Sequence, residues 1–183
     1  TDSSGNFTTQ TQEVVIEDST GPTPDADPLP DLTDECEITA TDITTPTATD
    51  ECDGVTVDGV SNVTNFPITE STTITWTYTD STGNISTQTQ QVIIDDTTGP
   101  TPDEGLLGTL IGVCEVDETH ITLPTATDNC DGTLDGVSDT TLPITASTTI
   151  TWTYTDSSGN FTTQTQEVVI EDTIAPVIDQ EEL

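Results

Sequence analysis

The chain has 183 residues, of which 35 are Asp or Glu and none is Lys or Arg, so its formal net charge is −35. Nucleic acids and anionic membrane surfaces repel such a chain, and it cannot form ion pairs with Lys or Arg. With only 30% hydrophobic residues, this charge would be typical of disorder. The alternating strand patterns described below instead favour small β-domains with thin cores.

Internal repetition organises the sequence. Residues 1–18 are identical to residues 155–172, and residues 71–96 return almost unchanged as 147–172. We interpret residues 1–18 as the terminal β-strand of a preceding repeat or as a donated strand. Residues 19–96 form the first repeat, residues 97–172 the second, and residues 173–183 a linker to the next repeat. A proline-containing motif, TGPTPD, opens each repeat at 20–25 and 98–103 and recurs loosely at 174–179.

The first repeat predicts several short strands in chain order. Residues 36–40 and 43–47 are expected to be strands, followed by a loop at 49–54 that is rich in Asp and Gly. Residues 55–63 predict a further strand, bent at Asp58-Gly59. The second repeat follows the same plan.

The end of each repeat predicts a β-hairpin. In residues 73–79, Ile74, Trp76 and Tyr78 fall on one face and threonines on the other, which is the period of a half-buried strand. Residues 80–84 are typical of a turn, and residues 85–94 form the returning strand. Trp76 and its copy Trp152 are therefore expected in the cores.

Short strands without a helical pattern indicate an all-β fold of tandem β-sandwich domains. The second repeat carries PTATDNC at 124–130, LPI at 142–144, TITWTYTD at 149–156 and Gly159-Asn160 before its closing strand. The first repeat matches these at 46–50, 66–68, 73–80 and 83–84. Each repeat thus resembles the hyalin-repeat (HYR) type of immunoglobulin-like domain found in tandem in large bacterial surface proteins. The resemblance implies immunoglobulin-like sandwiches, an extracellular role in adhesion or as a structural spacer, and no enzyme activity.

The four cysteines recur with the repeat. Cys36 and Cys52 are 16 residues apart, as are Cys114 and Cys130. We read these as one disulfide per repeat, Cys36–Cys52 and Cys114–Cys130, although four cysteines allow three connectivities. A cysteine-only zinc site is disfavoured because the closely spaced cysteine pairs typical of zinc ligands are missing. Disulfides imply an oxidising compartment.

Catalytic chemistry finds little support. The single histidine, His120, has no copy in the first repeat, where Asp42 stands, and is expected at the surface. No Ser or Thr has a base and an orienting partner that recur with the repeat. We expect the chain to have no enzyme activity.

Calcium is the better chemical hypothesis, because hard cations prefer several carboxylate, amide and carbonyl oxygens. If the fold is immunoglobulin-like, the acidic loop, the hairpin turn and the preceding linker share one pole of each domain. The alternative is that Asp and Asn are simply good turn formers. The candidate ligands of the first repeat are Glu17, Asp18, Asp25, Asp50, Asp53, Asp80 and Asn84. Those of the second are Asp95, Asp96, Asp103, Glu104, Asp128, Asp131, Asp156 and Asn160.

Glycans are a further expectation. Four Asn-x-Ser/Thr sequons supply acceptors, as do the Asp-Ser/Thr motifs at 18–20, 80–82, 96–98 and 172–174, which resemble a bacterial O-glycosylation pattern. The asparagines are Asn6, Asn62, Asn84 and Asn160, and the hydroxyl positions are Ser19, Ser81, Thr97 and Thr173.

These features together predict a structural repeat segment of an extracellular, cell-surface bacterial filament or adhesin stalk, stiffened by disulfides and calcium. Its partners would be identical repeats or copies of itself, with no nucleic acid and no membrane insertion. Residues 1–18 either complete a sheet in a neighbouring copy, giving a head-to-tail filament, or mark a window of a longer array. The alternative function is an adhesive module that binds glycans or a surface.

Overall fold

A computed structural model describes residues 1–173 and 175–176. Most of the loose linker motif at 174–179, and most of the predicted linker 173–183, therefore lie outside the described residues. Strands are nearly the only regular secondary structure in the described chain, which confirms the all-β, sandwich-like fold. It divides into two compact units, residues 1–32 with 38–93 and residues 33–37 with those from 94 onward. No helix in the described ranges is both long and apolar enough to cross a membrane.

The strands of the first repeat form a three-stranded sheet of order β1-β3-β4 and a four-stranded sheet of order β2-β7-β6-β5. Three plus four strands is the count of a constant-type immunoglobulin sandwich. The strands are β1 (Thr23–Pro24), β2 (Leu32–Asp34), β3 (Thr47–Thr49), β4 (Thr56–Asp58), β5 (Val60–Ser61), β6 (Thr72–Thr79) and β7 (Ile85–Ile94).

The second repeat has the same two sheets, of order β11-β10-β8 and β12-β13-β14-β9. A single turn of 3-10 helix, Glu118–His120, precedes β10. The strands are β8 (Thr101–Pro102), β9 (Leu110–Gly112), β10 (Thr125–Asp128), β11 (Gly132–Asp135), β12 (Val137–Ser138), β13 (Thr148–Thr155) and β14 (Phe161–Ile170).

The closing hairpin was predicted correctly. Strand β6 pairs antiparallel with β7 from Thr72–Val92 to Thr79–Ile85, and β13 pairs with β14 in the same way. The apolar face of the hairpin is buried, with Trp76 3% and Trp152 2% exposed. The core of the second unit includes residues from both sheets. It consists of Val116, Ala126, Ile144, Ile150, Trp152, Tyr154 and Val168.

Each tryptophan is held by a glutamine from the returning strand. Trp152 Nε1 donates to Gln166 Oε1 at 3.0 Å, and Gln166 Nε2 donates to the Gly108 carbonyl at 2.9 Å. Trp76 and Gln90 repeat the arrangement in the first unit at 3.1 Å. These bonds satisfy buried polar atoms that would otherwise destabilise a thin core.

Gln166→Ala should therefore destabilise the second unit by about 1–3 kcal/mol, because the buried indole N–H and the Gly108 carbonyl both lose their partner. The free energy of unfolding can be measured by urea titration. Thr165→Ala, at the exposed neighbouring position of β14, is the matched control and should change little. Equal effects of the two substitutions would contradict this account.

Two of the predicted strands are misplaced. Residues 36–40 form only an isolated bridge, Ile38 with Ile68, because the strand lies earlier, at β2. Residues 43–47 are outside the sheet until β3 begins at Thr47. The predicted bend at Gly59 is confirmed, since β4 ends before it and β5 begins after it. A Cβ there would lie 3.0 Å from Tyr78 Cε1.

Residues 1–18 form no strand, although the identical residues 155–172 contain β14. In β14 the backbone is hydrogen-bonded on both sides, to β13 and to β9. The N-terminal copy lacks such neighbours, and Val14, Val15 and Ile16 are 77%, 66% and 92% exposed. The difference follows from the missing partner strands, because the sequence is the same.

Candidate functional site

A buried aspartate organises the acidic loop of each unit. Asp128, the last residue of β10, accepts the Cys130 and Asp131 N–H groups on Oδ1 at 2.8 and 3.0 Å. Asp50, immediately after β3, does the same for Cys52 and Asp53 at 2.9 and 3.0 Å. Asp128 is 4% and Asp50 2% exposed. These side chains shape the loops that carry Cys52 and Cys130.

A second aspartate organises the hairpin turn. Asp156 accepts the Asn160 N–H on Oδ1 at 2.7 Å and Asn160 Nδ2 on Oδ2 at 2.9 Å. The same Nδ2 donates to the Asp96 carbonyl at 2.9 Å, which ties the turn to the linker. Desolvation raises the pKa of Asp156, but the hydrogen bonds from Asn160 outweigh it, and the net pKa shift is downward. Asp80 and Asn84 form the equivalent turn in the first unit.

The linker brings one more aspartate to each acidic loop. Ligand atoms of Asp96, Asp128 and Cys130 lie within 4.8 Å of one another, as do those of Asp18, Asp50 and Cys52. The Oδ2 atoms of Asp18, Asp96 and Asp128 are buried and have no hydrogen-bond partner among the described residues. Desolvation, followed by the charges of Asp128, Asp156 and Glu35, raises the pKa of Asp96. Like charge is therefore concentrated beside unpartnered oxygens.

Most of the other predicted calcium ligands are used elsewhere. Asp25 binds the Thr47 and Thr49 hydroxyls, and Asp103 binds those of Thr125 and Thr127. Asp53 accepts the Ser81 N–H, and Asp131 accepts the Ser157 N–H.

The predicted ligands Glu17, Asp95 and Glu104 are exposed. The compact clusters are therefore much smaller than the predicted ligand sets. They retain only the pairs Asp18 with Asp50 and Asp96 with Asp128, each next to a cysteine.

The predicted disulfide pairing is wrong. Cys36 bonds Cys130, with their Cα atoms 5.1 Å apart, whereas Cys52 and Cys114 are free and exposed. Residues 33–37 belong to the second unit, although they lie in the first sequence repeat. The equal spacing of the cysteines within each repeat was misleading. Because both cysteine positions recur in every repeat, the spacing is equally compatible with a bond inside one repeat and with a bond between consecutive repeats.

Polar contacts hold residues 33–37 beside Cys130. Glu35 accepts the Thr97 hydroxyl at 3.1 Å and the Thr98 hydroxyl at 2.8 Å. It also accepts Asn129 Nδ2 at 2.9 Å. Sequence reasoning missed Glu35, and nothing in its local pattern distinguishes it from the many other acidic residues.

The free thiol of Cys52 lies in a negative environment. The charge of Asp18 is the main cause of its raised pKa, with smaller contributions from desolvation and Asp50. His120 is exposed, as expected. Its Nδ1 lies 2.7 Å from Asp117 Oδ1 in a local helix cap.

The proposed glycan acceptors differ in accessibility. Asn84 and Asn160 use their amide nitrogens in the turns described above, so a glycan there would cost those hydrogen bonds. Asn6 and Asn62 are exposed, as are the hydroxyl positions Ser19, Ser81, Thr97 and Thr173. Comparisons of the sequence with models of known protein families and with curated proteins found no match.

Proposed function

We propose that the chain is a structural repeat segment of an extracellular bacterial filament or adhesin stalk, built from hyalin-repeat-like immunoglobulin-like domains. The observation that carries this proposal is the disulfide between Cys36 of the first sequence repeat and Cys130 of the second. A bond that reaches from one repeat to the next suits an array that bears load along its length. It also requires an oxidising compartment, which supports a location outside the cell.

The N-terminal segment supports assembly through copies of the same chain. Residues 1–18 carry the sequence of β14 with their apolar side chains exposed. A strand of this kind can add to a neighbouring sheet, where main-chain hydrogen bonds give affinity and alternate side chains give register. The partner in this proposal is another copy of the chain.

Electron microscopy of the purified chain tests this proposal. Added at a sheet edge with the alternation of β14, the strand would turn Val14 to the core face, like Val168, which is 2% exposed, and Thr11 to the outer face, like the exposed Thr165. Val14→Asp should therefore abolish filaments, as should deletion of residues 1–18. Thr11→Asp adds the same charge on the outer face and should preserve them. Filaments that persist in the deletion variant would refute strand addition.

A glycan-binding module remains the second proposal for this chain. Such sites usually present exposed aromatic rings as stacking platforms. Both tryptophans and both tyrosines are buried, whereas Phe7, Phe66 and Phe161 are exposed. This distribution gives the structural role more support. We also propose that the chain has no catalytic role; in the described part of the chain the His120 ring contacts the Asp117 carboxylate of its own helix cap.

We further propose that Asp96 and Asp128 bind a divalent cation, with calcium the best match. Calcium binds carboxylate oxygens at about 2.3–2.6 Å and completes its coordination with carbonyls and water. The unpartnered Oδ2 atoms of both residues support this site, as does the like charge that raises the pKa of Asp96. Cys130 is disulfide-bonded and offers no thiolate. Asp18 and Asp50 form the equivalent pair in the first unit.

Calcium should therefore raise the melting temperature of the second unit, and Asp96→Asn should remove that increase. In chelator at neutral pH, Asp96→Asn should melt higher than the wild type, because ionised Asp96 is disfavoured in the fold. Because the folded pKa of Asp96 is raised, the ionised carboxylate destabilises the fold at a pH above that pKa. This destabilisation is lost as the pH falls below it. The advantage of the variant should shrink accordingly.

Calorimetry with and without calcium measures both effects. Asp135→Asn removes the same charge from an exposed position on β11 and should retain the calcium response. No calcium-dependent shift in the wild type would eliminate the cation site.

A further inference from the structure

The four cysteines fall into two classes by their place in the repeat. Cys36 and Cys114 occupy one equivalent position, and Cys52 and Cys130 the other. The observed bond joins one member of each class, Cys36 to Cys130. The free thiols, Cys52 and Cys114, are again one of each class. We call the Cys36–Cys130 disulfide with the residues around it the completed junction. Cys114 is equivalent to its incoming half and Cys52 to its receiving half, and these two halves are not bonded to each other.

The receiving half around Cys52 resembles the half around Cys130. Asp50 accepts the Cys52 N–H at 2.9 Å, as Asp128 accepts the Cys130 N–H at 2.8 Å. Asp18 lies beside Cys52 as Asp96 lies beside Cys130. Cys52 is exposed, whereas Cys130, bonded to Cys36, is half-buried. The loop at Cys52 thus repeats the aspartate contacts of the bonded loop, although residues 50–55 separate its paired strand ends and residues 129–131 separate those at Cys130.

The incoming half around Cys114 follows its strand at the same distance as Cys36 does, although Cys114 has a positive φ of 77° and Cys36 does not. Cys36 follows the end of β2 by two residues, and Cys114 follows the end of β9 by two. Strand β2 neighbours β7 in its sheet, and β9 neighbours β14. Ile111 and Val113, on either side of Gly112, are 62% and 53% exposed. This end of the second unit therefore offers an apolar, accessible segment with a free thiol.

The residues beside Cys114 and Cys52 differ from those beside Cys36 and Cys130 in a way that is compatible with a second bond. At the completed junction, Glu35 accepts a hydrogen bond from Asn129 at 2.9 Å. At the separated halves, Val113 replaces Glu35 and Glu51 replaces Asn129. A glutamate at both positions would place two carboxylates together, and the valine avoids that repulsion.

We propose that Cys114 of one copy of this chain forms a disulfide with Cys52 of the next, repeating the Cys36–Cys130 junction between copies. This proposal rests on the proposed function in assuming that copies assemble head to tail. Because the two surfaces differ, the contact is heterologous and leaves a free thiol at each end of every oligomer. Such a contact extends into an open chain rather than closing as a twofold dimer.

Bond formation needs an oxidant, which a small-molecule disulfide supplies. The Cys114 thiolate attacks one of its sulfurs, forming a mixed disulfide and releasing one small thiolate. The Cys52 thiolate of the next copy then attacks the Cys114 sulfur and releases the second small thiolate. The two protein thiols thus lose two electrons and two protons to one disulfide.

The test uses the purified chain and two variants, Cys52→Ser and Cys114→Ser, in oxidised glutathione. The wild type should give a ladder of covalent oligomers on a non-reducing gel, and reductant should collapse it to monomer. Neither variant alone should oligomerise, but an equimolar mixture should give one heterodimer band. The chain has no trypsin sites, so cleavage after Glu and mass spectrometry should identify the Cys114–Cys52 peptide pair.

Homodimers of either variant at the yield of the mixed heterodimer would overturn the proposal, because they would indicate unselective thiol oxidation. The absence of any Cys114–Cys52 peptide would overturn it as well. Electron microscopy of the same samples distinguishes this failure from that of the proposed function. Non-covalent filaments without the bond would refute only the disulfide, whereas covalent oligomers without filaments would refute only strand addition.

Discussion

Trp152→Ala should destabilise the second unit by about 3–5 kcal/mol, which is the usual cost of removing a large buried aromatic side chain. Trp152 is 2% exposed and packs between the two sheets with Ala126 and Val168. The substitution also leaves Gln166 Oε1 without the indole donor. Small domains have about 5–15 kcal/mol in total, so this loss consumes much of the stability of a thin core.

Differential scanning calorimetry measures this effect, and two variants calibrate it. Trp76→Ala should produce a loss of the same size in the first unit, where Trp76 has the equivalent position and glutamine partner. Thr149→Ala lies on the same strand as Trp152 but on its exposed face, and should be nearly silent. A melting temperature of Trp152→Ala close to that of Thr149→Ala would show that this tryptophan is not a core residue.

Cys36→Ser should cost the second unit about 2–4 kcal/mol, the usual contribution of a native disulfide. The bond spans 94 residues of sequence, so its loss frees a long loop in the unfolded chain. It also releases residues 33–37, whose other contacts with the unit include the exposed Glu35 hydrogen bonds. Reductant should produce the same loss in the wild type.

The free cysteines supply the matched controls for this experiment. Cys52→Ser and Cys114→Ser each remove one thiol but no bond, and should melt at the wild-type temperature. If Cys52→Ser or Cys114→Ser destabilised the fold as much as Cys36→Ser, the pairing within each repeat would be correct instead. Chain cleavage after Glu, without reduction, would identify the bonded peptides directly.

The hairpins were predictable because their signal is local. The alternation of Ile74, Trp76 and Tyr78 with threonines fixes a burial face, and the Asp80–Asn84 turn joins the strands in register. The strands near Cys36 were less predictable, since β2 and β3 have only three residues each. In such short strands the pairing depends on distant partners rather than on a repeating pattern.

The acidic site was only partly predictable. Sequence spacing brought Asp50, Asp128 and the linker aspartates Asp18 and Asp96 into the candidate sets. It could not show that Asp25 and Asp103 bind threonine hydroxyls, because every aspartate in this composition looks alike. The disulfide failed for a related reason. An exact repeat does not reveal whether a bond stays within one period or crosses to the next.

The threonine–aspartate contacts have a consequence for the solvents in which this protein can persist. Asp25 and Asp103 obtain their partners from hydroxyls, and the chain has no Lys or Arg whose attraction to a carboxylate could be screened. Added sodium chloride therefore weakens mainly the repulsion between carboxylates, and exposed charges more than about 8 Å apart are largely screened at 0.15 M ionic strength. We expect the unfolding temperature to climb with ionic strength, so that brine is a favourable medium and dilute water the demanding one.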